Sequence, residues 1–211
     1  MQIKIFDFNP FHVNTYLLYG DDNEAVVIDP AMMNEEERNV FKGFITGHNL
    51  NLKRVLLTHG HIDHIAGSGW IQREYGILPE VHSADKFLID DAELHAQAFG
   101  LEIDPPATPG KNLNAGDEIC TGSITLQCRQ VPGHSPGSLV FIHKESKSVF
   151  SGDTLFLGSI GRTDLPGGSY DKLIQAIKDQ LISLPHDYTL YPGHGPKSSI
   201  GAEALSNPFV K

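Results

Sequence analysis

The stretch that most constrains this chain joins an apolar run to a cluster of metal-binding side chains. Arg54-Val55-Leu56-Leu57 is short and aliphatic, which predicts a buried strand. Thr58-His59-Gly60-His61-Ile62-Asp63-His64 follows directly, so the cluster begins where the strand ends. Because alternate side chains of extended backbone point the same way, we expect His59 and His61 to project together towards one ion.

The kind of site follows from the donors and their spacing. His59, His61, Asp63 and His64 place four nitrogen and oxygen donors within six positions. One closed structural zinc site rarely draws so many ligands from one loop, and no cysteine stands nearby to complete one. Single histidines are often surface or core residues, but four donors at one strand end indicate an open, reactive metal site.

Composition and charge limit the classes of function. The chain has 211 residues, of which 40% are hydrophobic and 20% charged, which predicts one globular domain spanning residues 1–211. Sixteen basic against 26 acidic residues give a net charge of -10, which disfavours nucleic acid and acidic membranes as partners. We therefore expect a small-molecule substrate, and the oligomeric state stays open.

The amino terminus and the cysteines both indicate the cytoplasm. Lys4 and Asp7 stand where a signal peptide would have its apolar stretch, and no run reaches membrane-spanning length. Cys120 and Cys128 lie at unequal distances from the turn expected at Thr121-Gly122, so they should not face each other across a hairpin. We expect two free thiols in a reducing compartment.

Strand and helix patterns are mixed along the whole chain, without a tandem repeat. A loop with three prolines at 104–110 should connect two halves of one domain, because residues on both sides of it supply ligand candidates. The predicted strands are 2–6, 15–19, 25–28, 54–57, 117–120, 123–131, 138–143, 148–150 and 188–191. The predicted helices are one after an N-cap at Asn34, one ending at Gly76, one from about Ser83 to Phe99, and one capped by Ser169 and ended by Pro185.

Three further ligand-type residues follow predicted strands at sharp turns. His134 lies in Pro132-Gly133-His134-Ser135-Pro136-Gly137, Asp153 follows a strand that ends in Gly152, and His194 follows Pro192-Gly193. Glycine and proline alone explain a tight turn without any function. Together with the 59–64 stretch, however, the three turns favour a single shared site.

This combination of motifs resembles the metallo-β-lactamase superfamily, in its glyoxalase II-like branch, from Ile28-Asp29-Pro30 to the terminal Pro-Gly-His-Gly-Pro. The resemblance implies an α/β fold, a four-layer αββα sandwich of two mixed β-sheets flanked by helices. It also implies two metal ions at one edge of the sheets. His59, His61 and His134 would hold one ion, while Asp63, His64 and His194 hold the other and Asp153 bridges them. Asp29 would steady the loop from outside the ligand set.

The chemistry of these donors agrees with the resemblance. Seven donors, five of them imidazoles, suit two divalent ions, with zinc favoured and iron or a mixed zinc and iron pair as the alternative. Such a pair generates hydroxide at neutral pH, and Asp63 and Asp153 are the expected catalytic carboxylates. The branch implies hydrolysis of a thioester of the hydroxyacylglutathione type, whose thiolate leaving group needs little help from an acid.

Two departures from the branch leave alternatives open. Full glyoxalase II enzymes carry a C-terminal helical domain, whereas this sequence ends at Lys211 soon after His194. In addition, Gly161-Arg162-Thr163-Asp164 stands where the branch typically has a lysine and a tyrosine that contact substrate. Arg162 is the expected substrate-binding residue, although it could instead stabilise its own loop. Gly-Arg-Thr-Asp also resembles persulfide dioxygenases, in which His59, His134 and Asp153 would hold one iron. True β-lactamases are expected to be less similar.

Six histidines receive no predicted role: His12, His48, His82, His95, His143 and His186.

Overall fold

The first of two large sheets is built from the amino-terminal half of the chain, in a computed structural model that describes residues 1–211. Its six strands lie in sequence order, the first three antiparallel and the last three each parallel to the strand before. They are β1 (Gln2–Phe8), β2 (Val13–Tyr19), β3 (Glu24–Ile28), β4 (Asn51–Leu56), β5 (Pro79–Val81) and β6 (Lys111–Asn112).

The second sheet is built from the carboxyl-terminal half and has the order β7-β8-β9-β10-β13-β14. Its pairs are antiparallel except β10 with β13, which are parallel. A separate hairpin, β11 with β12, follows β10. The strands are β7 (Glu118–Thr121), β8 (Ile124–Gln130), β9 (Leu139–His143), β10 (Ser148–Gly152), β11 (Leu155–Phe156), β12 (Ser159–Ile160), β13 (Thr189–Pro192) and β14 (Ser198–Ser199).

Helices connect the parallel strands and cover the outer faces of the sheets. The α-helices are α1 (Glu35–Gly47), α2 (Ile62–Ile65), α3 (Ser68–Tyr75), α4 (Lys86–Asp90), α5 (Ala92–Ala98), α6 (Tyr170–Ile177) and α7 (Ile200–Ser206). A 3-10 turn at Ser83–Asp85 precedes α4, and a π-helical turn at Lys178–Ile182 continues α6. None of these helices combines the length and the apolar character needed to cross a lipid bilayer.

Alternating side chains of the strands produce the layers. In the first sheet, Leu17 and Val27 face a core shared with α1 and α3, whereas their neighbours Leu18 and Val26 face the second sheet. In the second sheet, Val140 faces a core shared with α6 and α7. Three apolar cores therefore separate four layers, which confirms the predicted αββα sandwich.

Local sequence patterns predicted the ends of several helices and strands correctly. Asn34 begins α1 with a full capping box, since its side chain accepts from the backbone N–H of Glu37 and the Glu37 carboxylate accepts from the backbone N–H of Asn34. Gly76 ends α3 in the left-handed conformation. Cys120 pairs in register with Thr125, and both cysteines are free, as expected.

Other elements differ from the prediction. A single helix over 83–99 is wrong, because the chain breaks into the 3-10 turn, α4 and α5. The first break coincides with Asp85, whose side chain is buried and bonds other loops instead of continuing a helical pattern. Ser169 begins α6 without a side-chain cap, and its backbone N–H donates to the Gly133 carbonyl instead. The short β5, β6 and β14 and helix α7 were not predicted.

Candidate metal centre

The predicted ligand segments converge on one edge of the sandwich. In the first sheet, β3 and β4 run parallel and end beside Asp29 and the 59–64 loop. In the second sheet, β8, β10 and β13 run in one direction and lead to His134, Asp153 and His194. Backbone hydrogen bonds join the sheets here, from Leu139 to the Thr58 carbonyl at 2.7 Å and from Asn14 to the Gly193 carbonyl at 2.7 Å.

His59, His61 and His134 form a first group of three facing nitrogens. Nε2 of His134 lies 3.2 Å from Nε2 of His59 and 2.9 Å from Nδ1 of His61. Two facing ring nitrogens this close cannot both carry a proton. Nitrogen ligands about 2.0–2.1 Å from one tetrahedral zinc ion stand about 3.4 Å apart, so this spacing fits a shared cation.

Asp63, His64 and His194 form a second group. Nε2 of His64 lies 3.2 Å from Nε2 of His194, and Oδ2 of Asp63 lies 3.4 Å from the same His194 nitrogen. The two groups together contain six of the seven predicted ligands.

Asp153 lies between the two groups. Its Oδ1 is 3.3 Å from Nε2 of His64, and its Oδ2 is 3.4 Å from Nε2 of His194 and 3.7 Å from Nε2 of His134. The buried Oδ1 has no hydrogen-bond partner. A buried carboxylate oxygen left unpaired is costly, so this atom and its imidazole neighbours have the donor chemistry that divalent cations bind.

The outer nitrogens of the histidines determine which way the rings face. His134 Nδ1 donates to the Arg162 carbonyl at 2.8 Å, and His194 Nδ1 donates to the Phe11 carbonyl at 2.9 Å. His64 Nδ1 lies 2.9 Å from Oδ2 of Asp29. Because these partners only accept hydrogen bonds, each Nδ1 carries a proton and each Nε2 points inwards, where it can bind a cation once it carries no proton of its own.

Asp29 connects strand β3 to the start of the histidine loop. Its carboxylate accepts from the backbone N–H and the hydroxyl of Thr58, at 2.7 and 2.6 Å, as well as from His64. Thr58 in turn packs against Gly152, where a Cβ would overlap its side chain and where φ is +49°. Asp153 can approach the histidine loop because position 152 is glycine.

The members of the cluster differ in the direction in which their pKa values are shifted. Burial lowers the pKa of His59 well below its usual value and that of His61 to about 3, so both are neutral. Burial acts against ionisation of Asp153 as well, but His64 and His194 outweigh it and lower the pKa of this carboxyl. His64 and His194 respond reciprocally, since the carboxylates outweigh burial and raise the pKa of His194 to about 10. A bound divalent cation would replace these protons.

Sequence reasoning missed Asp85, which ties two ligand loops together. This fully buried carboxylate accepts from the backbone N–H of Gly60 at 3.0 Å and of Gly137 at 2.6 Å, and from the Ser135 hydroxyl at 2.6 Å. Burial raises the pKa of Asp85 despite these bonds. An aspartate near a serine resembles an ordinary helix start, so the sequence gives no signal for this contact.

A cavity of about 320 Å³ opens over the centre. Arg162 lines it, and its guanidinium also donates two 2.8 Å hydrogen bonds to the Asp164 carboxylate, so this residue both faces the cavity and stabilises its own loop. His95 also lines the cavity, unlike the other five unassigned histidines. The remaining lining residues are His61, Asp63, His134, Asp153 and His194 of the centre, with Phe11, Ile62, Leu88, Ala98, Phe99, Leu165 and Pro166.

A family model described as the metallo-beta-lactamase superfamily matches residues 8–194. The chain belongs to this superfamily. The family and the relatives described below assign it to the metal-dependent hydrolases, and the His/Asp cluster implies divalent metal ions. The family predicted from the ligand motifs is thereby confirmed.

Individual relatives are similar over the full chain. A Haemophilus influenzae protein named hydroxyacylglutathione hydrolase GloC is 38% identical, and the match covers 100% of this chain and 98% of that protein. The crystal structure of the BLEG-1 B3 metallo-β-lactamase superposes with a TM-score of 0.91 at 32% identity, covering 100% of both chains. The crystal structure of the di-iron-bound form of TTHA1623 superposes with a TM-score of 0.87 at 37% identity, covering 98% of this chain and 100% of that one. In sequence, BLEG-1 at 32% identity is less similar to this chain than the Haemophilus protein at 38%.

Proposed function

We propose that this chain, as a single domain over residues 1–211, is a binuclear metal-dependent hydrolase of acyl thioesters of the hydroxyacylglutathione type. The observation that carries the proposal is a pair of three-donor groups sharing Asp153 on the floor of a cavity of about 320 Å³. The Haemophilus relative supports the substrate class, because a protein matched over 98% of its length bears that name.

The residues fit two divalent cations, with zinc favoured and iron or a mixed pair as alternatives. His59, His61 and His134 would hold one, Asp63, His64 and His194 the other, and Asp153 both. When bound, the cations supply a water acidified to a pKa of about 7 and polarise an acyl carbonyl. The protein's contribution is to fix the imidazole lone pairs inwards through the Phe11 and Arg162 carbonyls and Asp29.

Asp63 is the proposed proton acceptor. Its carboxylate lines the cavity, and the His64 and His194 imidazoles lower its pKa although burial acts in the opposite direction. It is therefore ionised at neutral pH and can orient a water and accept its proton. In the overall reaction one water is consumed, a C–O bond forms as the C–S bond breaks, and the products are a carboxylic acid and a thiol. A thiol with a pKa of about 8.5 leaves readily as thiolate.

Arg162 is the proposed contact for the anionic thiol carrier. Its guanidinium lines the cavity and its side chain is about half exposed. The pair with Asp164 holds this side chain beside the centre without burying it. An exposed pair contributes little stability, so an anionic substrate can compete for the guanidinium. The net charge of -10 supports a small molecule, and not a nucleic acid, as the partner.

The experiment is metal analysis combined with a substrate panel. We expect two equivalents of metal per chain and hydrolysis of S-lactoylglutathione in preference to a cephalosporin. Cephalosporin hydrolysis without thioester hydrolysis would replace the proposal with a β-lactamase. One equivalent of iron, with oxygen consumed on adding glutathione persulfide, would replace it with a dioxygenase. The complete second group of Asp63, His64 and His194 favours two ions over that alternative.

A further inference from the structure

One wall of the cavity is apolar and reaches the surface. Phe11 precedes β2, and Leu88, Ala98 and Phe99 come from α4, α5 and the end of α5. The Phe11 and Phe99 rings meet edge to face with their centroids 5.9 Å apart, and Phe99 is 58% exposed. We term these four residues the aromatic wall. Exposed aromatic rings at the mouth of a cavity usually mark a surface that a ligand covers.

Phe11 of the aromatic wall and Arg162 adjoin different parts of the metal centre. The Phe11 carbonyl accepts from His194 of the second group, whereas the Arg162 carbonyl accepts from His134 of the first group. The two substituents of a carbonyl carbon held over the centre diverge from each other. One substituent can therefore extend towards Phe11 and Phe99 while the other extends towards Arg162.

The charge of the thiol carrier and the apolar character of the acyl chain determine which side of the cavity each would occupy. Soluble thiols that carry acyl groups bear carboxylates or phosphates, which a guanidinium binds well. An aliphatic or aromatic acyl chain gains from leaving water against apolar side chains. The carrier thus belongs at Arg162 and the acyl chain at the aromatic wall.

We propose that the aromatic wall selects 2-hydroxyacyl groups with chains longer and more apolar than lactoyl. This rests on the proposed thioester hydrolysis and specifies its acyl class. A lactoyl group offers a single methyl, which covers little of two aromatic rings. His95 lines the same cavity and its imidazole makes no hydrogen bond, but it is half-buried and keeps contact with water, so an apolar chain need not desolvate it.

The size of the preference follows from the area that each methylene buries. Full burial of one methylene corresponds to about a fourfold gain in kcat/KM, and half-burial to about twofold. Because the wall is open to solvent on one side, we expect a gain of about two- to fourfold per added methylene, up to a chain that spans Phe11 and Phe99.

The test holds the carrier and the hydroxyl group constant and varies only the chain. kcat/KM is measured on metal-loaded protein for the glutathione thioesters of lactate, 2-hydroxybutanoate, 2-hydroxyhexanoate and mandelate. We expect a rise along the aliphatic series and a mandeloyl value above the lactoyl value. F99A should lower the hydroxyhexanoyl value by more than the lactoyl value, and F99L should recover part of the aliphatic gain.

The matched control is L205A, which removes an apolar side chain that is 76% exposed on α7, at the opposite outer face. Its chain-length profile should equal that of the unmodified protein, and thermal unfolding of each variant checks that it folds. Hydrolysis of lactoylglutathione with a flat or falling chain-length profile would refute the acyl proposal and leave the proposed function standing. Turnover of none of the four thioesters would refute the proposed function itself.

Discussion

Replacement of Asp85 should destabilise the protein although this residue binds no metal. In D85A the backbone N–H groups of Gly60 and Gly137 lose their acceptor, while the Ser135 hydroxyl keeps Ser138 Oγ at 2.7 Å. Each buried donor left unpaired costs about 1–3 kcal/mol, so the two give about 2–6 kcal/mol. Removing a carboxylate whose burial is unfavourable offsets part of this, so we expect the lower half, about 2–4 kcal/mol.

D85N separates the hydrogen bonds from the shape of the side chain. An amide keeps one acceptor oxygen but turns its NH₂ group towards one of the two backbone N–H groups. One donor is left unpaired, which costs about 1–3 kcal/mol. The assay is urea unfolding of metal-loaded protein followed by circular dichroism, with the metal content of each variant measured in parallel.

The control for this prediction lies on the adjoining helix. Asp90 is an exposed carboxylate on α4 that pairs with Lys86 at 2.6 Å. Exposed pairs of this kind contribute about 0–1 kcal/mol, so D90N should lie within that range. A free energy of unfolding for D85A within about 0.5 kcal/mol of the unmodified value would refute the reasoning, because two unpaired buried donors cannot cost so little.

Chelation of the metals should lower the free energy of unfolding by about 4 kcal/mol for each of the two ions when the free-metal concentration was 1,000 Kd. Calorimetry of chelated protein, and of the same protein with metal added back, measures this effect, and an unchanged melting temperature would contradict it. H61A should abolish turnover and leave the fold intact, while H48A, at an exposed histidine, should behave normally. R162A should raise KM for anionic thioesters more than it lowers kcat. If KM is the same for R162A and the unmodified protein, Arg162 only stabilises its own loop. Arg162 lowers the pKa of Asp164 to about 2, so the pair should persist at higher pH and be lost as the pH falls through that value; in a carboxyl NMR titration of R162A the midpoint should return towards about 3.9.

The ligand residues were predictable because the sequence around each one contains a recognisable pattern. A strand that ends in a glycine, proline or histidine turn leaves its signal within a few residues, as at 132–137 and 192–196. The two ligand groups and Asp153 lie together in the structure, as the motifs indicated. Their roles in binding metal and in catalysis remain predictions.

The missed features depend on contacts between distant parts of the chain. Asp85 bonds to Gly60 and Gly137, which are 25 and 52 positions away, and no local pattern encodes such pairs. The 83–99 segment has helical spacing throughout, but its buried aspartate overrides that propensity. His95 and Phe99 reach the cavity only because α5 lies beside it, so the presence of His95 in the lining and of Phe99 in the aromatic wall follows from tertiary packing.

The rings of His134 and His194 are aimed by peptide oxygens, a kind of atom that every amino acid supplies in the same form. Positions 11 and 162 can therefore accept almost any residue while the imidazoles stay aligned. Relatives of this chain could therefore carry other side chains at positions 11 and 162, and with them other substrate specificities, without losing the binding of the cations.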